Sequence, residues 1–561
     1  MKSLKAIVVL ILVASFLLAG CTNPASPAAP ADNKAATAAP AANSEAPAAA
    51  KPTEAPANPP ATEAPKALAA SGDAVLVVRA YGDPVSFTPN TKADDNGYPI
   101  MQNIYNRLVK LDAAKEVIPD LAEKWEISED GKQITFHLVK TAKWTDGKPV
   151  TSKDVKYTFD TIKANPEYII SANLQTVESI ETPDDYTVVF KLSEPNVALV
   201  AHLGWYACFI VPEHIYNNGK SWDENEAGKN PVTSGPFKLG EFKQGQSVTL
   251  VPNPDYFAGA PKLSKVIYTI IPDDATAIQS FLAGEIDDLG SVPPANVAEF
   301  KNNPQVKMNL NVFPSPMRII FNMKNEKVKD LAVRKAIALA VDRDEISQKV
   351  FAGIQPPEYS MYPSVVKWVA NTENASPKFN IEEARKTLED AGYKADKDGF
   401  YVRGLEIECF QDGNYPDAAK LMAATLAKAG IEMKVNVSEF NAWVAKVAEK
   451  KDFIMELQGG FMGPDPSALK ARYSTDSSMN WGSYSNPKFD ELVLKGGQVG
   501  DQAERASLYK EAQKILAEDV PYIPIVGYAA YEAFSANFTN MPIEGAGKWG
   551  WQEYTYTEKV K

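Results

Sequence analysis

From Thr22 to about Ala70 the chain is mostly Ala and Pro, with scattered Ser, Thr, Glu and Lys and no aromatic residue. Such a segment has too little apolar surface to offset the entropy lost on ordering it, so whatever folds must lie from about Asp73 onward. Extended at about 3 Å per residue, it reaches on the order of 100 Å and is read as a spacer. The chain has 561 residues, 45% of them hydrophobic and 23% charged. At about 150 residues per domain that is three or four structural units, with core enough to need no disulfide or metal staples. The formal charge is −13, from 58 Lys and Arg against 71 Asp and Glu. No segment concentrates the cations that phosphate contacts require, which argues against nucleic acid.

The first residues carry an address. Lys2 and Lys5 precede an apolar run from Ala6 to Leu18, the charged-then-hydrophobic order of a secretory signal, and the run is too short for a comfortable membrane span. Leu18-Ala19-Gly20-Cys21 resembles the lipobox of bacterial lipoproteins, which implies cleavage before Cys21 and acylation of that residue. Residues 1–20 are therefore expected to be a signal peptide and 21–72 the acylated Cys21 with its linker. The expected location is extracytoplasmic, lipid-anchored to the bacterial cell membrane on its outer face or in a periplasm. Cys208 and Cys409 stand far apart in apolar surroundings and are expected to be buried free thiols.

The body alternates strand and helix signals. Ala74 to Arg79 reads as a strand, and Gln133 to Val139 alternates Ile134, Phe136 and Leu138 with polar neighbours. Thr151, with Asp154 three residues on, begins a helix whose apolar face is Val155, Phe159 and Ile162. Strands are expected at Tyr186 to Leu192, Ser247 to Val251 and Lys265 to Ile271. Later, Ala332 to Ala340 reads as a helix, and Asp342 with Glu345 caps the next. Asn380 to Ala391 is a helix stopped by Gly392. Asp417 to Ala429 is another, stopped by Gly430 before the strand Ile431, Met433, Val435, Val437. Asp501 with Glu504 opens a helix carrying Leu508, Ala512 and Ile515, followed by a buried strand over Pro521 to Val526. No internal repeat is found.

Recognisable catalytic or metal-binding patterns are missing. His137, His202 and His214 have no partners at metal spacing, and His137 falls on the polar face of its strand. No G-x-S-x-G or P-loop occurs. Gly545-Ala546-Gly547-Lys548-Trp549-Gly550 matches G-x-G-x-x-G without the strand and helix that dinucleotide binding needs, and is read as a loop. Asp396-Lys397-Asp398-Gly399 lacks the later bidentate acid of a calcium loop and is read as a turn. No cofactor is expected. The body offers aromatics instead, 9 Trp, 23 Tyr and 23 Phe in the chain, several beside Gly, Asn and Asp, as in a ligand cleft.

An ordered series of segments carries a resemblance. Asn103-Ile104-Tyr105-Asn106-Arg107-Leu108-Val109, Val117-Ile118-Pro119-Asp120-Leu121-Ala122-Glu123-Lys124-Trp125-Glu126 and Lys143-Trp144-Thr145-Asp146-Gly147-Lys148-Pro149 are similar to signatures of the family 5 extracellular solute-binding proteins of ABC importers. Ser234-Gly235-Pro236-Phe237-Lys238, Asn253-Pro254-Asp255-Tyr256-Phe257, Val333-Arg334-Lys335-Ala336-Ile337 and Val520-Pro521-Tyr522-Ile523-Pro524 continue it. The family binds dipeptides, oligopeptides and nickel. The resemblance implies an α/β, two-lobed periplasmic-binding-protein-like fold with an extra inserted subdomain in the first lobe. It also implies a non-enzymatic role, capturing solute between the lobes and delivering it to the ABC permease. Lobe I is expected at 73–312 plus 531–561, with the inserted subdomain at about 110–231, and lobe II at 313–530. The crossings are expected near Phe313 and Phe534. A monomer is expected.

The resemblance marks Asp94-Asp95-Asn96, Phe440 and Phe461 as ligand-facing, and Tyr81 joins them. Dipeptide receptors of the family hold the peptide amino terminus with an Asp where this chain has Met462 and Gly463, with Asp465 displaced. They hold the carboxylate with an Arg near Gln411-Asp412-Gly413-Asn414, where none stands. Arg318 is either a substitute cation or the partner of an acid at the hinge. Some relatives bind oligosaccharides, and Phe440, Trp443, Phe461, Trp481, Asp412 and Asn414 suit ring stacking and hydroxyl bonding. Peptide is the first expectation, oligosaccharide the second and a nickel chelate the third. The competing class is a secreted hydrolase using two carboxylates.

Overall fold

Helix starts follow the caps that the sequence carries. In a computed structural model, which describes residues 74–92, 94–112, 115–205, 207–411, 413–542 and 553–560, Asp330, Asp342, Asn380 and Asp501 each accept a hydrogen bond from a first-turn backbone N–H, at 2.8–3.0 Å. The helices Leu331–Ala340, Arg343–Phe351, Ile381–Asp390 and Gln502–Asp519 follow them. The Asp154 carboxylate accepts from Thr151 N–H at 2.8 Å and closes the start of Ser152–Ala164, which buries Val155, Phe159 and Ile162. The helix expected from Asp417 begins earlier, as Tyr415–Lys428, because Pro416 suits a first helical turn that needs no N–H. In Gln502–Asp519 the buried face is centred on Tyr509, Ala512 and Leu516, with Leu508 and Ile515 half-buried beside it. Residues 1–73, and with them the signal, Cys21 and the spacer, lie outside the described residues, as do Asp412 and the loop at 545–550.

The strands assemble into one ten-stranded sheet. From one edge its order is Ile431–Ser438, Val402–Phe410, Met455–Gln458, Val306–Phe321, Tyr522–Ser535, Asp288–Ser291, Val75–Ala80, Lys265–Ile270, Ser247–Pro252 and Phe237–Lys243. Its middle is a pair of long antiparallel strands, Val306–Phe321 and Tyr522–Ser535. One end of the pair, where Asn309 faces Glu532, lies beside Asp288–Ser291. The other, where Ile319 faces Ile523, lies beside Met455–Gln458. The register is interrupted between Val312 and Pro316, with Val312 opposite Ala529 and Pro316 opposite Gly527. Pro314 and Pro316 lack the N–H that a regular ladder needs, so the break falls where the sequence carries them. The rings of Phe313 and Tyr528 meet there at 5.4 Å, whereas Phe534 pairs with Asp288 and Lys307.

Each half has its own apolar interior. Leu76, Val78, Ile104, Leu250 and Val266 fill one, and Ile319, Ile337, Leu405, Met422 and Ile523 the other. A separate four-stranded sheet, Ala122–Ile127, Gln133–Leu138, Thr187–Leu192 and Val177–Asp184, packs on Ser152–Ala164 around Phe136, Phe159 and Phe190. Ile134, Phe136 and Leu138 are buried, as their alternation requires. Each such side chain contributes about 1.5–3 kcal/mol on burial. Cys208 and Cys409 are free and buried, and burial pushes their thiols up to about 12 and about 11.

Candidate functional site

Aromatic rings gather at the end of the strand Val402–Phe410, and one more pair links the two halves. Phe410, at the end of its strand, touches Tyr415 (4.4 Å between ring centres), Trp443 (5.0 Å) and Phe440 (5.4 Å). Phe440 stacks on Trp443 at 5.9 Å, and Trp443 meets Trp481 edge-on at 6.0 Å. Trp443 is 1% exposed, so its faces are already covered by neighbouring rings. Phe461 stacks on Trp205 at 4.8 Å with the planes 20° apart, and Trp205 belongs to the segment containing the four-stranded sheet. Val197 N–H donates to Gly497 C=O at 3.2 Å, making a second contact between that segment and the other half.

The segment leading to Phe461 is fixed by glycine. A side chain at Gly459 would collide with the Tyr415 hydroxyl, and Gly460 has φ +126°, which side-chain-bearing residues rarely adopt. Behind it lies a group of buried charges. Arg318, fully buried on its long strand, faces Gln458 across the ladder, and Glu456 faces Ile320 on the same pair. Arg318 Nη1 makes one long bond, 3.4 Å, to Gly460 C=O, and its Nε and Nη2 have no partner. Glu456 accepts from Gln458 Nε2 at 2.7 Å through one oxygen, while the other is unpaired. Burial pushes the Glu456 carboxyl up to about 8, against the attraction of Arg318, so the group is mostly protonated at neutral pH. Arg472 donates to Phe461 C=O at 2.6 Å, and burial together with the Arg318 charge lowers it to about 10. Arg318, Gln458, Arg472, Asn480, Trp481 and Gly482 line a small cavity.

The other candidates are placed differently. Asp94 is 7% exposed and its carboxylate accepts from the backbone N–H groups of Val85, Asn96 and Gly97 at 2.7–3.2 Å, shaping the turn before Tyr98–Ile104. Asp95 is exposed, with partial burial and then the Asp94 charge raising its carboxyl. Asn96 stands half-buried against Gly82, and Tyr81, 44% exposed, lies under the Arg79 guanidinium at 4.1 Å. Asn414 is exposed and bonds Val350 C=O at 3.2 Å. Asp465 is 3% exposed, and both its oxygens bond Arg505 Nη2 at 2.9 Å, one also accepting from Ser467 N–H. Burial works to raise this carboxyl, and the Arg505 charge overrides it, holding it below the usual range.

Trp205, Glu456, Gln458 and Arg472 were not among the candidates. Glu456 and Gln458 had a signal: within Met455–Gln458 polar and apolar residues alternate although all four are buried, which marks a polar face turned toward something other than solvent. Among the described residues no three His, Cys, Asp or Glu side chains converge as a metal site would need, and no helix is long and apolar enough to cross a membrane.

Known proteins share this architecture. Residues 116–481 match the model of the bacterial extracellular solute-binding proteins, family 5 Middle. The chain belongs to the family 5 extracellular solute-binding proteins. Its relatives include the oligopeptide-binding protein AppA of Bacillus subtilis (strain 168), 31% identical over 467 residues, covering 80% of this chain and 85% of AppA. The dipeptide-binding protein of Escherichia coli (strain K12) is 25% identical over 496 residues, 83% of this chain and 90% of that one. Among solved structures, HbpA2 from Haemophilus parasuis superposes with a TM-score of 0.79 at 25% identity, covering 87% of this family 5 protein and 100% of HbpA2. AppA from Bacillus subtilis in complex with a nonapeptide gives 0.62 at 27% identity, covering 87% and 99%. The fold of this family 5 protein is accordingly the two-lobed α/β fold of periplasmic binding proteins. Family members are extracytoplasmic binding proteins, and the relatives are named for what they bind.

Proposed function

We propose that this family 5 protein captures a peptide-like ligand between its lobes and delivers it to the permease of an ABC importer, without altering it chemically. The observation that carries this reading is the junction of the two halves. Two long strands with an interrupted register join them, and the Phe461 segment, whose Met462 N–H donates to Pro314 C=O, and the uncommitted guanidinium of Arg318 stand beside that break. Such a hinge lets ligand select a closed arrangement over an open one, and moving that population from 1:99 to 99:1 takes about 5.5 kcal/mol of differential binding. The peptide-binding names of AppA and of the Escherichia coli relative support the ligand class. For oligosaccharide, rings need free faces, and here Trp443 and Trp481 are 1% and 9% exposed and lie against each other. Peptide is therefore the preferred reading.

Phe440, Phe461, Trp481 and Arg318 are our choice of ligand-side residues, with Trp205 added from the opposing half, while Trp443, 1% exposed, packs behind Phe440 and Trp481. Asp94 and Asp465 are assigned to holding the backbone and Arg505. The lobes are taken as 73–312 with 531–561 and 313–530, close to the register break, and the protein as a monomer tethered through acylated Cys21. Replacing Cys21→Ser is expected to release the protein from the membrane fraction, and retention there would contradict the tether. A pool of synthetic tetrapeptides is expected to raise the melting temperature stoichiometrically and to be recovered intact. Cleaved peptide would point to an enzyme, and unchanged melting would count against peptide as ligand.

A further inference from the structure

The buried arginines of this protein differ in one respect. Arg343 donates to Pro524 C=O, Pro377 C=O and Ser376 Oγ. Arg334 donates to the carbonyls of Val328, Lys329, Asp519 and Val520, and Arg505 to Asp465 and Gly496. Arg318, as deeply buried, has one long bond and two nitrogens with none. A buried guanidinium without a partner loses its hydration and gains nothing in return, so its persistence calls for an acceptor from outside the chain.

The identity of the idle atoms specifies that acceptor. Nε–H and Nη2–H point along one edge of the guanidinium, parallel and spaced for the two oxygens of a single planar carboxylate. The nearby acid does not fill this role. Glu456 makes no ion pair with Arg318 within 4.0 Å among the described residues, and as a mostly protonated group it adds little negative charge. Arg472, lining the same cavity, adds a second positive charge. The cavity has room for about one water molecule, which excludes a bulky anion as it stands. One lining residue, Met479, is 37% exposed and has a flexible, unbranched side chain, so the lining is not closed on every side by rigid groups. Arg318 also bonds Gly460 C=O and Arg472 bonds Phe461 C=O, so both cations hold the backbone of the segment that carries the Phe461 ring.

We propose that Arg318 receives one carboxylate of the captured ligand, side-on through Nε–H and Nη2–H, with Arg472 reinforcing the charge, so that the ligand is a peptide-like molecule with a free carboxylate. This rests on the capture reading above and names the group recognised.

The test compares a tetrapeptide pool with free carboxyl termini and the same pool amidated, against the wild-type protein, Arg318→Met and Arg318→Lys. Wild type is expected to bind the free-acid pool at least about tenfold tighter than the amide pool. Arg318→Met loses that difference and, unliganded, melts no lower than wild type, because an apolar side chain replaces an unpaired buried charge. Arg318→Lys restores part of the preference as a point charge without the fork. Failure of Arg318→Met to fold, or discrimination surviving in it, makes Arg318 structural and overturns the proposal. Equal binding of both pools overturns it while leaving peptide capture standing. If neither pool binds, peptide capture falls, and acetate decides the site. A rise in melting temperature over chloride at matched ionic strength, absent in Arg318→Met, sustains the proposal, and no rise overturns it.

Discussion

Replacing Asp465→Ala is expected to lower the stability of this protein by about 3–5 kcal/mol, because it strands Arg505 as an uncompensated buried charge. The pair is 3% and 9% exposed at its side chains, joined at 2.9 Å, and its Arg505 end also bonds Gly496 C=O and lies over the Trp368 ring. Urea denaturation followed by circular dichroism reads the loss as a lower midpoint. Asp465→Ala with Arg505→Ala is expected to cost clearly less than the sum of the single changes, since the two share one interaction. A loss below about 1 kcal/mol for Asp465→Ala, of the order of an exposed pair, would contradict the buried-pair assignment and return Asp465 to the ligand candidates.

The second large effect is a pH dependence localised to Glu456. Its carboxyl stands at about 8 in the folded protein, against an ordinary value of 4.5, because burial disfavours the charged form. Between those values the folded protein holds a proton that the unfolded chain has lost. The stability this contributes is full below about 4.5 and is lost as pH rises through about 8. The expected slope is about 1 kcal/mol per pH unit across that window. Asp287, which burial pushes up to about 6, acts in the same direction over the lower part of the window, so the informative quantity is the difference between wild type and Glu456→Gln. The polar and charged groups that act on Glu456 are Arg318, Gln458, Arg472 and Tyr473. Denaturation of both proteins at pH 5, 6, 7 and 8 should give converging stabilities at low pH and a widening advantage for Glu456→Gln as pH rises. Parallel curves would mean that Glu456 is ionised throughout and paired with Arg318.

These two predictions also show where reading the sequence stops. Asp342, Asn380 and Asp501 announced their helices because a cap acts on its own first turn, and Gln133–Leu138 announced its buried face because alternation is local. The strand Val306–Phe321 was not legible. Pro314 and Pro316 argue against a strand when seen locally, and only its long partner Tyr522–Ser535 shows that they sit at a break in the ladder. That partner was read as far as Val526 and continues to Ser535, since the stretch from Gly527 onward has no alternation to reveal it. The site has the same division. Phe440, Trp443, Phe461, Trp481 and Arg318 were recognisable as residue types in suggestive places, and the structure puts Phe440, Trp443 and Trp481 in contact with one another and Arg318 against the Gly460 carbonyl. That Asp465 belongs to Arg505, and that Trp205 faces Phe461, are contacts between residues far apart in the chain that no local pattern records.

The central claim is that two lobes swing together on a guest that leaves unaltered, and small-angle X-ray scattering with and without the tetrapeptide pool tests it most directly. The account predicts a smaller radius of gyration on saturation, reversed by dialysis, with the peptides recovered at full length. An identical scattering profile at saturation, or peptides recovered as fragments, would contradict it.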